Sequence, residues 1–204
     1  VVVLRSGGGN SFCSGAYFNE LLAIETEQQG AQFFCGIANL INAMRKCPKF
    51  IIGRIHGKCV GGGVGLAAAV DYAIAIEGAS IKLSELTIGI GPFVVGPAVE
   101  RKIGKSAFSQ LAIDAAMWRD GDWAKRKGLF AELHPSVESM DESISRLADS
   151  LARSHPAAMK ELKKIFWQGT DDWGKLLPER AAISGKLVLS EYTRKAIANF
   201  KTKG

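Results

Sequence analysis

Two short stretches hold residues whose types and spacing could do chemistry through the backbone rather than through a side-chain nucleophile. The first is Gly61-Gly62-Gly63, within His56 to Leu66, between an apolar strand pattern (Phe50 to Ile55) and a small-residue helix pattern (Leu66 to Val70). Consecutive glycines are costly, because Gly loses more backbone freedom on folding than any other residue. Their use is to let backbone N–H groups approach another group closely. The first N–H groups of a helix lack intrahelical partners and sit at the positive end of its dipole. The stretch therefore predicts a cradle for a developing oxyanion. Glycines that only let a helix pack tightly on a sheet would read the same way. The second stretch is Ser14-Gly15-Ala16, where small residues again free the backbone; an ordinary loop with a helix cap also fits it.

Other readings of the same residues fare worse. Gly63-Val64-Gly65-Leu66-Ala67-Ala68 fits G-x-G-x-x-A, and Glu85 lies about twenty residues on, where a ribose-binding acid could sit. The strand pattern ends near Ile55, however, well before the motif, and no alternation of strands and helices follows. Gly104-Lys105-Ser106 lacks the earlier glycine of a phosphate loop, which here is Val99. The three histidines, His56, His134 and His155, read as structural. Cys13, Cys35, Cys47 and Cys59 are widely spaced, without C-x-x-C or a Cys/His ligand grouping. They predict reduced thiols, a cytoplasmic setting and no metal.

The elements that must position these stretches can be read from periodicity. Val1 to Arg5 predicts a buried strand, Ser6 to Asn10 a turn, and Glu25 to Arg45 a helix with Phe33, Phe34, Ile37, Leu40, Ile41 and Met44 at helical steps. Lys49 to Ile55, Asp71 to Ile76, Ile81 to Leu83 and Leu129 to Leu133 predict strands. Ala98 to Ile103, ended by Gly104, Lys105 to Ala116 and Asp122 to Lys127 predict helices. From Met140 the pattern is helical throughout: Ser143 to Ser154, Pro156 to Trp167 and Leu177 to Ala198. The uncharged loop Ile88 to Pro97 suits the lining of an apolar pocket. This divides one domain into a core over residues 1–139 and a helical region over residues 140–204.

With 47% apolar and 23% charged residues over 204 positions, the chain can build one good core. The net charge of +6 suits an anionic partner such as a phosphorylated small molecule. Basic residues are scattered, without the aromatic interleaving of a base-stacking surface, so no nucleic acid is expected. No signal peptide or membrane span is visible; the longest apolar run, Cys59 to Ile76, is broken by glycines and Asp71. The chain opens directly on a strand pattern without Met, which suggests that an N-terminal portion precedes it.

Taken together, Val2-Val3-Leu4 through Phe12-Cys13-Ser14-Gly15-Ala16, then Gly57 and Gly61-Gly62-Gly63, Ser84-Glu85, Gly89 and Pro92 resemble the enoyl-CoA hydratase/isomerase (crotonase) superfamily. The likeness continues through Ile103-Gly104, Ala124 to Leu129 and Ser190 to Phe200. The resemblance implies an α/β fold: a spiral of ββα turns forming two nearly perpendicular sheets, with helices outside and a helical C-terminal trimerisation region. It also implies a homotrimer or dimer of trimers, an acyl-CoA thioester as substrate, and no separate cofactor, coenzyme A entering as part of the substrate. The first strand pair and helix, which in the family carry part of the coenzyme A contact, would be the missing front.

By the same resemblance, the thioester oxygen is held by the N–H groups of Ala16 and Gly62, each such donor being worth roughly 3–4 kcal/mol. Ser14, Gly15, Tyr17, Gly61 and Gly63 flank them at the substrate. Leu86, Pro92 and Phe93 would line the acyl pocket, and Phe200 and Lys201 match tail positions that approach coenzyme A from a neighbouring subunit. Two departures matter. Family hydratases carry a glutamate three residues after the middle glycine, and that position is Gly65; the family's second glutamate is present as Glu85. Tyr17 and Asn19 stand where the family commonly has Asp and Lys. Hydration usually needs two proton-handling groups. One carboxylate, made more basic by an apolar pocket, suffices to move a proton from C2 to C4, as in the family's Δ3,Δ2-enoyl-CoA isomerases. Hydration or decarboxylation, for example of methylglutaconyl-CoA, and acyl-CoA or RNA binding without turnover are the alternatives.

Overall fold

In the computed structural model, which describes residues 1–202 and the side chains of residues 1–200, short strands come in pairs and each pair is split between two sheets. The order is β1 (Val2–Arg5), β2 (Ser11–Cys13), α1 (Phe18–Leu22), α2 (Glu27–Lys46), β3 (Ile51–Ile55), β4 (Lys58–Val60) and α3 (Gly62–Ala69). Next come β5 (Tyr72–Ile76), β6 (Ser80–Lys82), a 3-10 turn (Glu85–Ile88), α4 (Gly96–Ile113), β7 (Arg119–Asp120), α5 (Gly121–Arg126) and β8 (Glu132–His134). The tail is α6 (Val137–Ala152), α7 (Pro156–Phe166), α8 (Trp173–Leu187) and α9 (Glu191–Thr202). Among the described residues, one sheet has the order β1-β3-β5-β8 and is parallel throughout; the other has the order β2-β4-β6-β7, with only the β6–β7 pair antiparallel. Each of the first three β-loop-β steps therefore feeds both sheets, helices return the chain between steps, and in the last pair α5 separates β7 from β8.

Local chemistry sets the helix ends. A capping box opens α2: Gln29 N–H donates to Thr26 Oγ1 (3.2 Å) and Thr26 N–H to Gln29 Oε1 (3.1 Å). Arg45 and Lys46 in its last turn suit the negative end of its dipole. Gly104, at φ 77°, breaks α4 into the two helical segments that the sequence predicts. The C-terminal helices share the main core, since Trp167, Trp173, Leu177 and Ala181 cluster with sheet and α3 residues such as Ile55, Val64 and Ile81. A second, smaller cluster joins Leu21, Ile24, Ile88, Ile90, Val188 and Ile197. Asp71 ties α7 to the first sheet. Its carboxylate accepts from Ile51 N–H (2.7 Å), Lys163 Nζ (2.8 Å) and Trp167 Nε1 (3.0 Å), and Lys163 also donates to Lys49 O (2.8 Å).

Several expectations need correcting. The first strand is not buried: Val2 and Val3 are 39% and 38% exposed, because β1 lies at a sheet edge with a neighbour on one side only. The glycine-rich stretch is not a plain strand-to-helix junction; β4 intervenes, and α3 begins at Gly62, four residues before the predicted helix pattern. Low glycine helix propensity hid that first turn. β2, β4 and β7 are two or three residues long, too short for alternation to register. The last strand of the parallel sheet is Glu132–His134 rather than Leu129 to Leu133; Leu129 and Phe130 are buried in the core instead. The predicted helix from Leu177 to Ala198 is two helices, broken before Ser190, whose Oγ accepts from Thr193 N–H (3.2 Å) and opens α9.

Candidate active site

The two backbone stretches meet because β2 and β4 are parallel neighbours, with Cys13 opposite Cys59. Gly15 takes φ +84°, and a Cβ there would stand 3.0 Å from Val60 O and 3.8 Å from Gly62 N. Glycine at this position thus lets the Ser14-Gly15-Ala16 backbone lie directly against Val60 to Gly62. Gly62 is the first residue of α3, so its N–H has no partner inside the helix. Ala16 N–H and Gly62 N–H donate to no backbone carbonyl among the described residues.

A cavity of about 270 Å³ opens beside them. Of the residues expected at the site, Ser14, Gly15, Ala16, Gly61, Gly62, Glu85, Pro92 and Phe93 line it. Tyr17 does not: its side chain is 63% exposed and its Oη accepts from Asn19 Nδ2 (2.6 Å). Leu86 is 52% exposed and points away, since successive residues of a 3-10 turn diverge by about a third of a circle. Gly63 is a packing residue, as a Cβ there would lie 2.3 Å from Cys13 O. Phe200 rests on Phe18 of the same chain, with ring centroids 6.1 Å apart, and Phe18 lines the cavity. The side chain of Lys201 lies outside the described residues.

Glu85 starts the 3-10 turn that follows β6. The turn is pinned from two sides. Ile90 N–H donates to Glu85 O (3.0 Å), and Gly89, at φ 79°, sits so close to α9 that a Cβ would meet Tyr192 and Thr193 at 2.6 Å. The carboxylate lies over Gly61, where a Cβ would be 3.1 Å from Glu85 Oε1. Glu85 Oε2 is enclosed and has no hydrogen-bond partner among the described residues. Burial among apolar neighbours pushes the Glu85 carboxyl up to about 7, opposed only by a backbone hydrogen bond. It is the one ionisable carboxylate on the lining, and no Lys, Arg or His joins it among the described residues.

Gly65, where a second carboxylate could have stood, is filled from outside. A Cβ on Gly65 would fall 2.5 Å from Val95 Cγ1, and Val95 lines the cavity. The glycine-rich stretch therefore divides by role: Gly61 and Gly62 face the cavity, and Gly63 and Gly65 allow close packing. Sequence reasoning missed much of the apolar wall, Phe33, Phe34 and Ile37 from α2 and Leu21 from α1, and the hydroxyl of Ser184 from α8. The helical periodicity of α2 was visible, but nothing in it separates a cavity wall from packed core. The histidines hold structure elsewhere: His56 Nε2 is 2.7 Å from Gly8 O, His134 pairs with Glu132 (2.9 Å), and His155 Nδ1 accepts from Ala158 N–H (3.4 Å). Among the described residues no group of three or more His, Cys, Asp and Glu side chains could hold a metal ion.

The pattern of enoyl-CoA hydratases and isomerases matches residues 1–201. The chain belongs to the enoyl-CoA hydratase/isomerase family. Within this family, the crotonase superfamily, it is 28% identical to a peroxisomal Δ3,5-Δ2,4-dienoyl-CoA isomerase of Arabidopsis thaliana, over 81% of this chain and 63% of that protein. It is 34% identical to an ethylmalonyl-CoA decarboxylase of Gallus gallus (87% and 58%), and 30% identical to a mitochondrial methylglutaconyl-CoA hydratase of Mus musculus (83% and 55%). The chain thus spans less than two thirds of the length of these relatives. An enoyl-CoA hydratase structure from Bacillus halodurans superposes with a TM-score of 0.87 at 20% identity, covering 97% of this chain and 80% of that one. One from Mycobacterium avium gives 0.84 at 22% identity (96% and 74%). These structures share the crotonase-like α/β fold. No helix among the described residues is long and apolar enough to cross a membrane.

Proposed function

We propose that the protein isomerises a 3-enoyl-CoA thioester to the conjugated 2-enoyl-CoA thioester through a single carboxylate. Ionised Glu85 takes a proton from C2. The electron pair moves onto the thioester oxygen as an enolate, which the N–H groups of Ala16 and Gly62 stabilise. The same Glu85, now protonated, returns the proton at C4, so the double bond shifts from C3–C4 to C2–C3 and nothing else is consumed or released. The observation that carries this reading is the lone, poorly solvated Glu85 on an apolar lining, with Val95 occupying the space of a second carboxylate at residue 65. A value near 7 keeps Glu85 both basic enough to accept and acidic enough to return a proton at neutral pH. The homotrimer or dimer of trimers that the family resemblance implies belongs to the same proposal and is tested by the mass of the protein in solution.

Decarboxylation is the second reading, favoured by the 34% identical relative. The same two N–H groups would hold an enolate formed by loss of CO2, and protonated Glu85 would quench it. Against it, a carboxylated acyl group would enter a lining without a cation among the described residues. The test follows the conjugated-thioester absorbance with a 3-enoyl-CoA and a 2-enoyl-CoA side by side, and CO2 release from ethylmalonyl-CoA. A gain of signal from the 3-enoyl substrate alone supports isomerisation. Loss of signal from the 2-enoyl substrate means hydration, and CO2 release without the other two means decarboxylation.

A further inference from the structure

The cavity side chains on α2 follow an order along the helix. Ile37 stands at the oxyanion end, with its Cδ1 4.0 Å from the point that a Cβ on Gly62 would occupy. One turn back come Phe33 and Phe34, packed edge to face at 5.2 Å between ring centroids. A further turn back, α2 meets α8 backbone to backbone. A Cβ on Gly30 would fall 2.6 Å from Gly185 Cα, and one on Gly185 would fall 2.3 Å from Ala31 N. Ser184, beside that contact, lines the cavity. No chain can pass between two helices this close, so the crossing closes the far end.

The length of this tunnel follows from helix geometry. Seven residues separate Ile37 from Gly30, about 10 Å at ~1.5 Å per residue. An extended chain advances ~3.3–3.6 Å per three bonds, so about 10 Å holds roughly eight or nine bonds. Among the described residues the lining offers hydroxyls at Ser14, Ser84 and Ser184 but no cation to pair with a charged acyl terminus.

We infer that the acyl subsite is a blind tunnel along α2 for an uncharged acyl group of about eight carbons, and that the Gly30–Gly185 contact between α2 and α8 sets its length. The inference rests on the acyl-CoA reading above, but not on which bond is rearranged. Ser184 is the side chain at the blind end, and Gly30 and Gly185 position it.

The test is calorimetric binding of saturated acyl-CoA thioesters from four to sixteen carbons, which cannot isomerise. Affinity is expected to rise about fourfold per added methylene, the ~0.8 kcal/mol of one buried methylene, and to stop rising near eight carbons. Succinyl-CoA is expected to bind at least tenfold more weakly than butanoyl-CoA. Ser184→Leu, which fills the blind end without touching Glu85, moves the break to six carbons or fewer. Phe34→Ala, which widens the tunnel wall without touching the Gly30–Gly185 crossing, leaves the break near eight carbons. Affinity that climbs steadily to sixteen carbons, or a break that Ser184→Leu does not move, overturns the tunnel. A break in place without turnover of any 3-enoyl-CoA overturns the isomerase reading alone, and a protein that binds none of these thioesters overturns both.

Discussion

Asp71 and Glu85 both lie beneath the surface, and their surroundings differ in one respect. The Asp71 side chain is 7% exposed, and its two oxygens accept three hydrogen bonds from a backbone amide, an indole and the buried Lys163 ammonium. Glu85 has an enclosed Oε2 without a partner among the described residues, in a wall of aliphatic and aromatic side chains. A satisfied buried carboxylate joins elements together; here it fastens α7 to the first sheet. A starved one is free to take a proton, because every donor that would stabilise its charge would also weaken it as a base. On the proposed reading, the same fold keeps one acid for architecture and one for chemistry, and the two differ in hydrogen-bond donors rather than in depth.

The comparison breaks most sharply at Glu85. Glu85→Gln keeps the shape of the side chain and removes the proton shuttle, so turnover should fall by about 10²–10⁴-fold while binding of a saturated acyl-CoA persists. Steady-state kinetics beside calorimetry reads both. At Asp71 the expected result is reversed. Asp71→Ala leaves Lys163 buried without its partner, which should cost about 3–5 kcal/mol in urea unfolding, with kcat changed little in whatever remains folded at low temperature. A loss under 1 kcal/mol would remove Asp71 from its role as a fastener.

The pH dependence sharpens the contrast further. The fold raises the Glu85 carboxyl to about 7 from an ordinary value of 4.5, so the folded state disfavours its ionised form. Its effect on stability is therefore absent below about pH 4.5, builds up between 4.5 and 7, and above 7 remains a deficit on the order of 3 kcal/mol. Glu85→Gln should match the parent in unfolding free energy near pH 4.5 and exceed it by about that amount at pH 8. Activity runs the other way, since the base must be ionised: kcat/KM should fall about tenfold per unit below pH 7. The smallest effect is expected at Gly15. Gly15→Ala forces a side chain into φ +84° and against Val60 O, costing about 1–2 kcal/mol of stability. By shifting Ala16 N–H it should also lower kcat tenfold to a hundredfold, part of the ~10²–10³ that a whole donor supplies.

How much of this was legible in the sequence depends on whether a residue announces itself. Gly62 did, through its glycine cluster; Ala16 and Glu85 were singled out by the family resemblance, and the structure brings all three to one cavity. The expected second-carboxylate gap at Gly65 was visible as an absence, but its steric reason, Val95 thirty positions later, was not. Leu86 read as a pocket residue because it adjoins Glu85; the 3-10 turn sends it to solvent. The wall from Phe33 to Ile37 was correctly assigned to a helix and still missed as lining, since an apolar side chain facing a cavity carries the same periodicity as one facing core. The Gly30–Gly185 contact joins positions 155 residues apart, and no local pattern links them.

The central claim is that one carboxylate both removes and returns the proton. Its most direct test gives parent and Glu85→Gln protein a 3-octenoyl-CoA carrying deuterium at C2, and measures product and the label at C4 by NMR. A single enclosed Glu85 predicts that part of the deuterium arrives at C4 with the parent and that the variant makes almost no product. Product formation by the variant within a few-fold of the parent would contradict the account.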